Sequence, residues 1–378
     1  MTDKNLACRL QKIRVSLGLS LTEAAKRLGF ANYQTLRSIE AGEREVKVSE
    51  LGKFAKIYYY SISDLLGQSE EDFSYNFLWR NLPQDNNIKK ETEGKLANIC
   101  KQYTLFEKLL NLKPKKRLPE LTRDDIRDNV SLSNRADDVR NCLGLGSRPA
   151  CTLQQILEQD FNIKVLFHYF GDGSAVSTLH PDLGGVIVIN SDEAPWRRNY
   201  DLAHELFHLL SWKTVSFQEL ETNKPFFEDI ERKADAFASM LLLPGSEVEK
   251  EINSRINTQK QITYSDLVDI SLEFGISTIA LIYRMANLRY IKWETAKKYA
   301  DDEELRALNR EKKRGKWEKA PKISERLYEL AIRCLRKGLI SRGKFAAVTE
   351  INRCDIDDFI EEKGLMEQEG TPIEIMAS

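Results

Sequence analysis

The sequence predicts an α+β fold that is mostly helical: an all-α N-terminal domain, a central domain with a small sheet, and a helical C-terminal tail. Three observations carry this expectation. Residues 5–67 set apolar side chains at helical spacing and interrupt them with glycines. Only two short β-branched runs stand out, residues 163–169 and 186–190. From Trp196 onward the apolar period is helical almost throughout.

The N-terminal region divides into short helices. Leu6, Leu10, Ile13 and Leu17 mark the first, which Gly18 ends. Ser20 caps the second, with Glu23 three residues on as in a capping box. Ala24, Ala25 and Leu28 give that helix its buried side, and Gly29 closes it. A third, from about Asn32 to Ala41, turns Leu36 and Ile39 inward, and two more follow at 51–58 and 61–66. Residues 68–119 read as a linker. It holds an apolar island at Phe77, Leu78 and Trp79, then a connecting helix striped by Leu96, Ile99, Cys100, Tyr103, Phe106, Leu109 and Leu110. That stripe suits either a joining helix or a dimer seam.

Residues 120–300 form the main domain, with a helix at 153–159 before the two strands; Gly184 and Gly185 lead the second strand. Residues 301–322 read as a charged linker, either solvated or a frayed helix, because Asp301-Asp302-Glu303-Glu304 and Glu311-Lys312-Lys313-Arg314 dominate them. Residues 323–363 return to helical spacing through Leu327, Leu330, Ala331, Cys334, Leu335, Phe345, Val348, Ile351, Ile356 and Phe359.

Composition bounds the function. In 378 residues, 42% are hydrophobic and 30% charged, which excludes collagen-like, disulfide-dense and wholly disordered chains. The net charge of -1 means that any nucleic-acid contact must come from a local basic face. The six cysteines form no C-x-x-C pair, no apolar run has membrane-spanning length, and the first residues lack a secretory leader pattern. A cytoplasmic chain with reduced thiols and no membrane partner is expected.

The sharpest motif is His204-Glu205-Leu206-Phe207-His208. On a helix, residues i and i+4 share a face, so two imidazoles can grip one ion while the intervening glutamate reaches a water beside it. Leu202, Ala203, Leu206, Phe207, Leu209 and Leu210 make the helix largely buried. A catalytic zinc takes three protein ligands and leaves one position open. One Zn2+ per chain is expected, with Glu205 as general base. The third ligand should come from another segment. Glu231 is the leading candidate, Glu228 and Asp229 are rivals, and Asp235 is placed to accept the outer N–H of a ligating imidazole. No oxyanion donor is identified; Tyr200 and Arg198 stand nearest in sequence. His168 and His180 read as structural or solvent-exposed. The strand at 186–190 could offer its edge to an extended peptide.

Residues 1–67 carry eleven basic side chains against seven acidic ones, a positive region on a chain with no net excess. The second helix, a short turn at Gly29-Phe30-Ala31 and the third helix give helix-turn-helix order. The third helix would enter a major groove by its first turns. Asn32, Gln34 and Arg37 can read base edges, and Tyr33, Thr35 and Ser38 can touch phosphate or a thymine methyl.

Two stretches resemble known families. Residues 7–67 are similar to the Cro/cI-type (XRE) helix-turn-helix, through Leu10, Arg14, Gly18 to Ala25, Leu28-Gly29, Ile39 to Arg44, Leu51, Phe54-Ala55 and Ser61 to Leu66. Their turn is one residue longer than the commonest form. Residues 120–300 resemble the ImmA/IrrE-type zinc metallopeptidases, through Arg197, Tyr200 to Leu210, Glu231 to Ala238, Leu242-Leu243-Pro244, Phe274 to Ser277 and Tyr283-Arg284-Met285. A weaker helix-turn-helix-like pattern lies at Gly338 to Ser341 and Phe345 to Ala347. The resemblance implies a zincin-like domain behind a DNA-binding one. It also implies a regulator that binds a double-stranded operator, as a homodimer by the habit of such units. That regulator would cleave a repressor, an antitoxin or itself, switching stress, mobile-element or phage-defence genes. The competing expectation is a non-catalytic repressor or antitoxin in which the zincin fold serves as sensor or docking scaffold.

Overall fold

In this computed structural model the chain is described at residues 4–17, 19–58, 60, 62–66, 78–79, 86–169, 171, 173–180, 183–256 and 261–363. Local capping signals set out the first helices: α1 (Lys4–Ser16), α2 (Leu21–Leu28), α3 (Tyr33–Glu40), α4 (Val48–Tyr58) and α5 (Ile62–Leu66). Ser20 accepts the Glu23 N–H at the start of α2. Gly29 ends it at φ 75°, a left-handed conformation that a β-carbon would strain. Gly18, the expected stop of α1, lies outside the described residues. Leu10, Leu28, Leu36 and Phe54 fill the centre, and Phe30 in the turn meets the Phe54 ring at 6.2 Å.

One charged pair sits inside this domain. Arg14 Nε and Nη2 donate to the two Glu40 oxygens at 2.7 and 2.9 Å, and Nη1 donates to the Leu19 carbonyl at 2.8 Å. Both side chains are buried. The pair ties α1 to the end of α3 and to the residue leading into α2.

β1 (Leu78–Trp79) and α6 (Asn86–Leu109) follow, then α7 (Asn129–Leu143), α8 (Pro149–Asp160), β2 (Lys164–His168), β3 (Ala175–His180) and β4 (Gly184–Asn190). The sheet order is β1-β3-β4-β2, with β4 parallel to β2 and antiparallel to β3. β4 is therefore paired on both sides. This corrects the expectation that the 186–190 strand offers an edge to a peptide, because its N–H and C=O groups are spent within the sheet. β3 was not expected at all.

The remaining helices of the main domain are α9 (Pro195–Ser211), α10 (Phe217–Thr222), α11 (Lys224–Leu242), α12 (Gly245–Arg255), α13 (Tyr264–Glu273), α14 (Thr278–Asn287), α15 (Trp293–Asp301) and α16 (Glu303–Lys313). α9 lies against β3 and β4, and α11 packs along α9. Gly185 permits the first approach: a β-carbon there would stand 2.5 Å from Ile163 Cδ1 and 3.3 Å from Leu209 Cδ1. The Phe207 and Phe237 rings meet between α9 and α11 at 5.6 Å, and Ala203, Ala234 and Ala238 on these helices are fully buried.

The charged stretch 301–322 is not a solvated linker over its first half. It carries α16, whose Leu305 is buried and whose Lys312 Nζ pairs with Asp269 Oδ2 at 2.7 Å. Tyr264 O–H donates to Asp302 Oδ2 at 3.1 Å. Charge counting missed these partners because they lie on α13, far away in sequence.

Residues 101–113 and 323–363 belong to a second compact unit. In it the end of α6 joins α17 (Glu325–Arg336), α18 (Arg342–Thr349) and α19 (Ile356–Glu362). Tyr103, Phe106, Leu330, Phe345 and Ile356 are buried, and Cys334 Sγ lies 3.9 Å from the Phe106 carbonyl. Of the α6 stripe, Leu96, Cys100, Tyr103 and Phe106 are buried, and Ile99, Leu109 and Leu110 are partly exposed.

Candidate metal centre and nucleic-acid interface

Every α9 residue from Asp201 to Ser211 is buried, so the motif histidines sit in the middle of the domain. One helical turn separates them, and their Nε2 atoms are 3.2 Å apart. α11 adds Glu231, with Oε2 3.4 Å from His204 Nε2 and Oε1 3.2 Å from His208 Nε2. The rival carboxylates go elsewhere: Asp229 pairs with Lys233 at 2.6 Å and Arg232 at 3.2 Å, and Glu228 is exposed.

Asp235, one turn after Glu231, places Oδ1 2.9 Å from His204 Nδ1. An ionised carboxylate only accepts, so Nδ1 carries the hydrogen and Nε2 turns a lone pair toward His208 and Glu231. Burial by itself would raise the Glu231 carboxyl. In the metal-free site, imidazoles protonated at Nε2 as well donate to it and bring positive charge beside it, which holds it well below the usual carboxylate range instead.

The donor set fits a zinc ion. Tetrahedral ligands at zinc distances stand about 3.3–3.4 Å from one another, and the three contacts among His204, His208 and Glu231 span 3.2–3.4 Å. Glu205 supplies a second indication. It is 0% exposed, and neither carboxylate oxygen has a hydrogen-bond partner among the described residues. An ionised carboxylate held that way costs several kcal/mol, of order ~3–5 when a buried charge lacks its partner. Ligand atoms of His204, Glu205 and His208 all lie within 4.8 Å of one another.

Tyr200 and Arg198, the residues considered as oxyanion donors, each have a protein partner. Tyr200 O–H donates to the Asp235 backbone carbonyl at 2.7 Å, which locks α9 to α11. Arg198 donates to the Glu318 carbonyl, and its guanidinium lies 5.6 Å from the Phe167 ring. His168 and His180 end β2 and β3, outside the cluster. Burial pushes the His168 imidazole down. Sequence reasoning did not single out Asp201, fully buried one turn before Glu205 and paired with Arg197 Nε at 3.1 Å. Its i−4 spacing from Glu205 was the available signal.

In the N-terminal domain α3 presents Tyr33, Gln34 and Arg37 to solvent. Two of the expected contact residues are partly committed. Asn32 Oδ1 caps α3, accepting from the Thr35 N–H at 3.2 Å and lying 3.3 Å from its hydroxyl, so only the amide NH2 remains for a base. Ser38 O–H donates to the Gln34 carbonyl at 2.9 Å. Glu23, Glu40 and Glu50 pair with Arg27, Arg14 and Arg44; each pair is neutral, so the excess of cations over acids in this domain is unchanged.

A DNA-binding helix-turn-helix domain joined to a metallopeptidase-type domain is the class these features define. Residues 10–65 match the family model described as helix-turn-helix, and residues 158–286 match that of the IrrE N-terminal-like domain. No curated protein matches the chain. Among the described residues no helix is long and apolar enough to cross a membrane.

Proposed function

We propose that this chain is a transcriptional regulator that binds operator DNA through α3 and cleaves a protein, as a zinc-dependent endopeptidase, through the α9–α11 centre. A repressor, an antitoxin or the chain itself is the expected substrate class, with stress, mobile-element or phage-defence genes as the output. The observation that carries this reading is the convergence of His204, His208 and Glu231 beside the unpartnered Glu205.

His204, His208 and Glu231 would hold the zinc. Bound there, it would supply Lewis acidity to a carbonyl oxygen and to water at neutral pH. Glu205 takes a proton from the attacking water and returns it to the leaving amine, a role open to it because no group among the described residues occupies its oxygens. Asp235 holds the His204 tautomer and ring direction, and Tyr200 fixes the Asp235 backbone.

Elemental analysis of purified protein should give one zinc per chain, lost in His208→Ala; a metal-free wild type would end the proposal. Asp235→Asn should weaken zinc binding about 10- to 100-fold, read by chelator competition. On the DNA side, Arg37→Ala should weaken binding to duplexes selected from a random pool by about 1–3 kcal/mol if it reads a guanine. Unchanged affinity in gel shifts would remove Arg37 from the interface. The non-catalytic alternative keeps operator binding and zinc but shows no cleavage under any inducing condition.

A further inference from the structure

After α16 the chain runs without helix or strand through Arg314, Lys316, Trp317, Lys319 and Lys322. All five side chains are exposed, and Trp317 leaves 53% of its surface in water. None of the four cations is ion-paired among the described residues. The segment just before behaves differently: Arg306 pairs with Asp301 at 2.7 Å and Lys312 with Asp269 at 2.7 Å.

Exposed as it is, this loop is pinned. Lys313, only 5% exposed, sets its Nζ 4.5 Å from the centre of the Trp196 ring. Trp317 meets the same ring at 6.0 Å and 84°. The Glu318 carbonyl accepts from Arg198 Nη2. The indole is thus held in place while much of it faces water, with cations before and after it in the chain. Neighbouring like charges repel, and a half-exposed indole gains little from burial. Both costs are offset by a ligand that brings negative charge and a flat apolar face together.

We infer that residues 314–322 bind single-stranded nucleic acid, with a base stacked on Trp317 and backbone phosphates on Arg314, Lys316, Lys319 and Lys322. A duplex hides its base faces in its own stack, whereas an unpaired strand offers them to an aromatic platform. The inference rests neither on the peptidase reading nor on α3, which addresses duplex edges.

The test uses the full-length protein with a (dT)20 oligonucleotide, a 20-base-pair duplex and polyglutamate as probes. (dT)20 should bind with an affinity that falls linearly in log salt. Trp317→Ala should weaken it roughly 5- to 150-fold, and Trp317→Phe should keep most of the affinity because a phenyl ring still stacks. A variant with all four cations changed to Gln should flatten the salt slope by up to ~3. Those four side chains are exposed, so loss of fold would not account for that change. Duplex binding should be unaltered in every loop variant. Unchanged (dT)20 affinity in both Trp317→Ala and the four-Gln variant would overturn the inference. So would displacement by polyglutamate with no dependence on Trp317, which would mark a surface for acidic protein instead.

Discussion

Glu205→Gln should abolish peptide-bond cleavage, by about 10²–10⁴-fold or more, while one zinc per chain stays bound. The ligand atoms are untouched, and only the proton acceptor is lost. Cleavage is read by mass spectrometry on repressor or antitoxin candidates encoded by neighbouring genes. The same substitution should leave the metal-free protein as stable as wild type or more so. It replaces a fully buried carboxylate that has no hydrogen-bond partner among the described residues with a neutral amide of the same shape. A raised melting point with lost activity is the signature of a site held at the expense of stability. If zinc leaves together with activity, Glu205 is a ligand rather than the base; if cleavage persists, the proposed mechanism fails.

Arg14→Ala should destabilise the N-terminal domain by about 3–5 kcal/mol, since it strands the buried Glu40 carboxylate at the end of α3. Operator binding should fall with it, because Arg14 fixes the end of α3 and the residue leading into α2. Replacing both partners together, Arg14→Met with Glu40→Leu, should recover most of the stability: the desolvation cost of both charges disappears along with their attraction. Thermal melts of the two single variants and the double variant give the coupling energy. A double variant as unstable as Arg14→Ala alone would show that the pair contributes geometry that apolar packing does not replace.

The two predictions rest on features that were unequally visible in the chain. The motif histidines, Glu205 and the helical N-terminal domain were legible because each signal is local: an i, i+4 pair, a Ser cap, a glycine stop. Glu231 was one of three acids within four residues, and only the packing of α11 on α9 turns it, rather than Asp229, toward the histidines. β3 escaped notice because its buried positions include Ser177 and Thr178, which break the apolar alternation that announces a strand. The 301–322 stretch reads in sequence as a solvated linker or a frayed helix because the partners that anchor α16, Asp269 and Tyr264, lie on another helix. Asn32 carries a second task that side-chain type alone does not reveal: its side-chain carbonyl caps α3.

The centre is built from two helices that carry alanine beside its ligands. Ala203 precedes His204, and Ala234 and Ala238 stand one and two turns after Glu231; all three are fully buried. A methyl group at each of these positions adds little bulk beside the imidazoles and the Glu231 carboxylate. A single valine at any of these positions would thicken the joint, spread the grip and loosen the ion without altering any atom that touches it. The tolerances of this centre are therefore written in its smallest side chains.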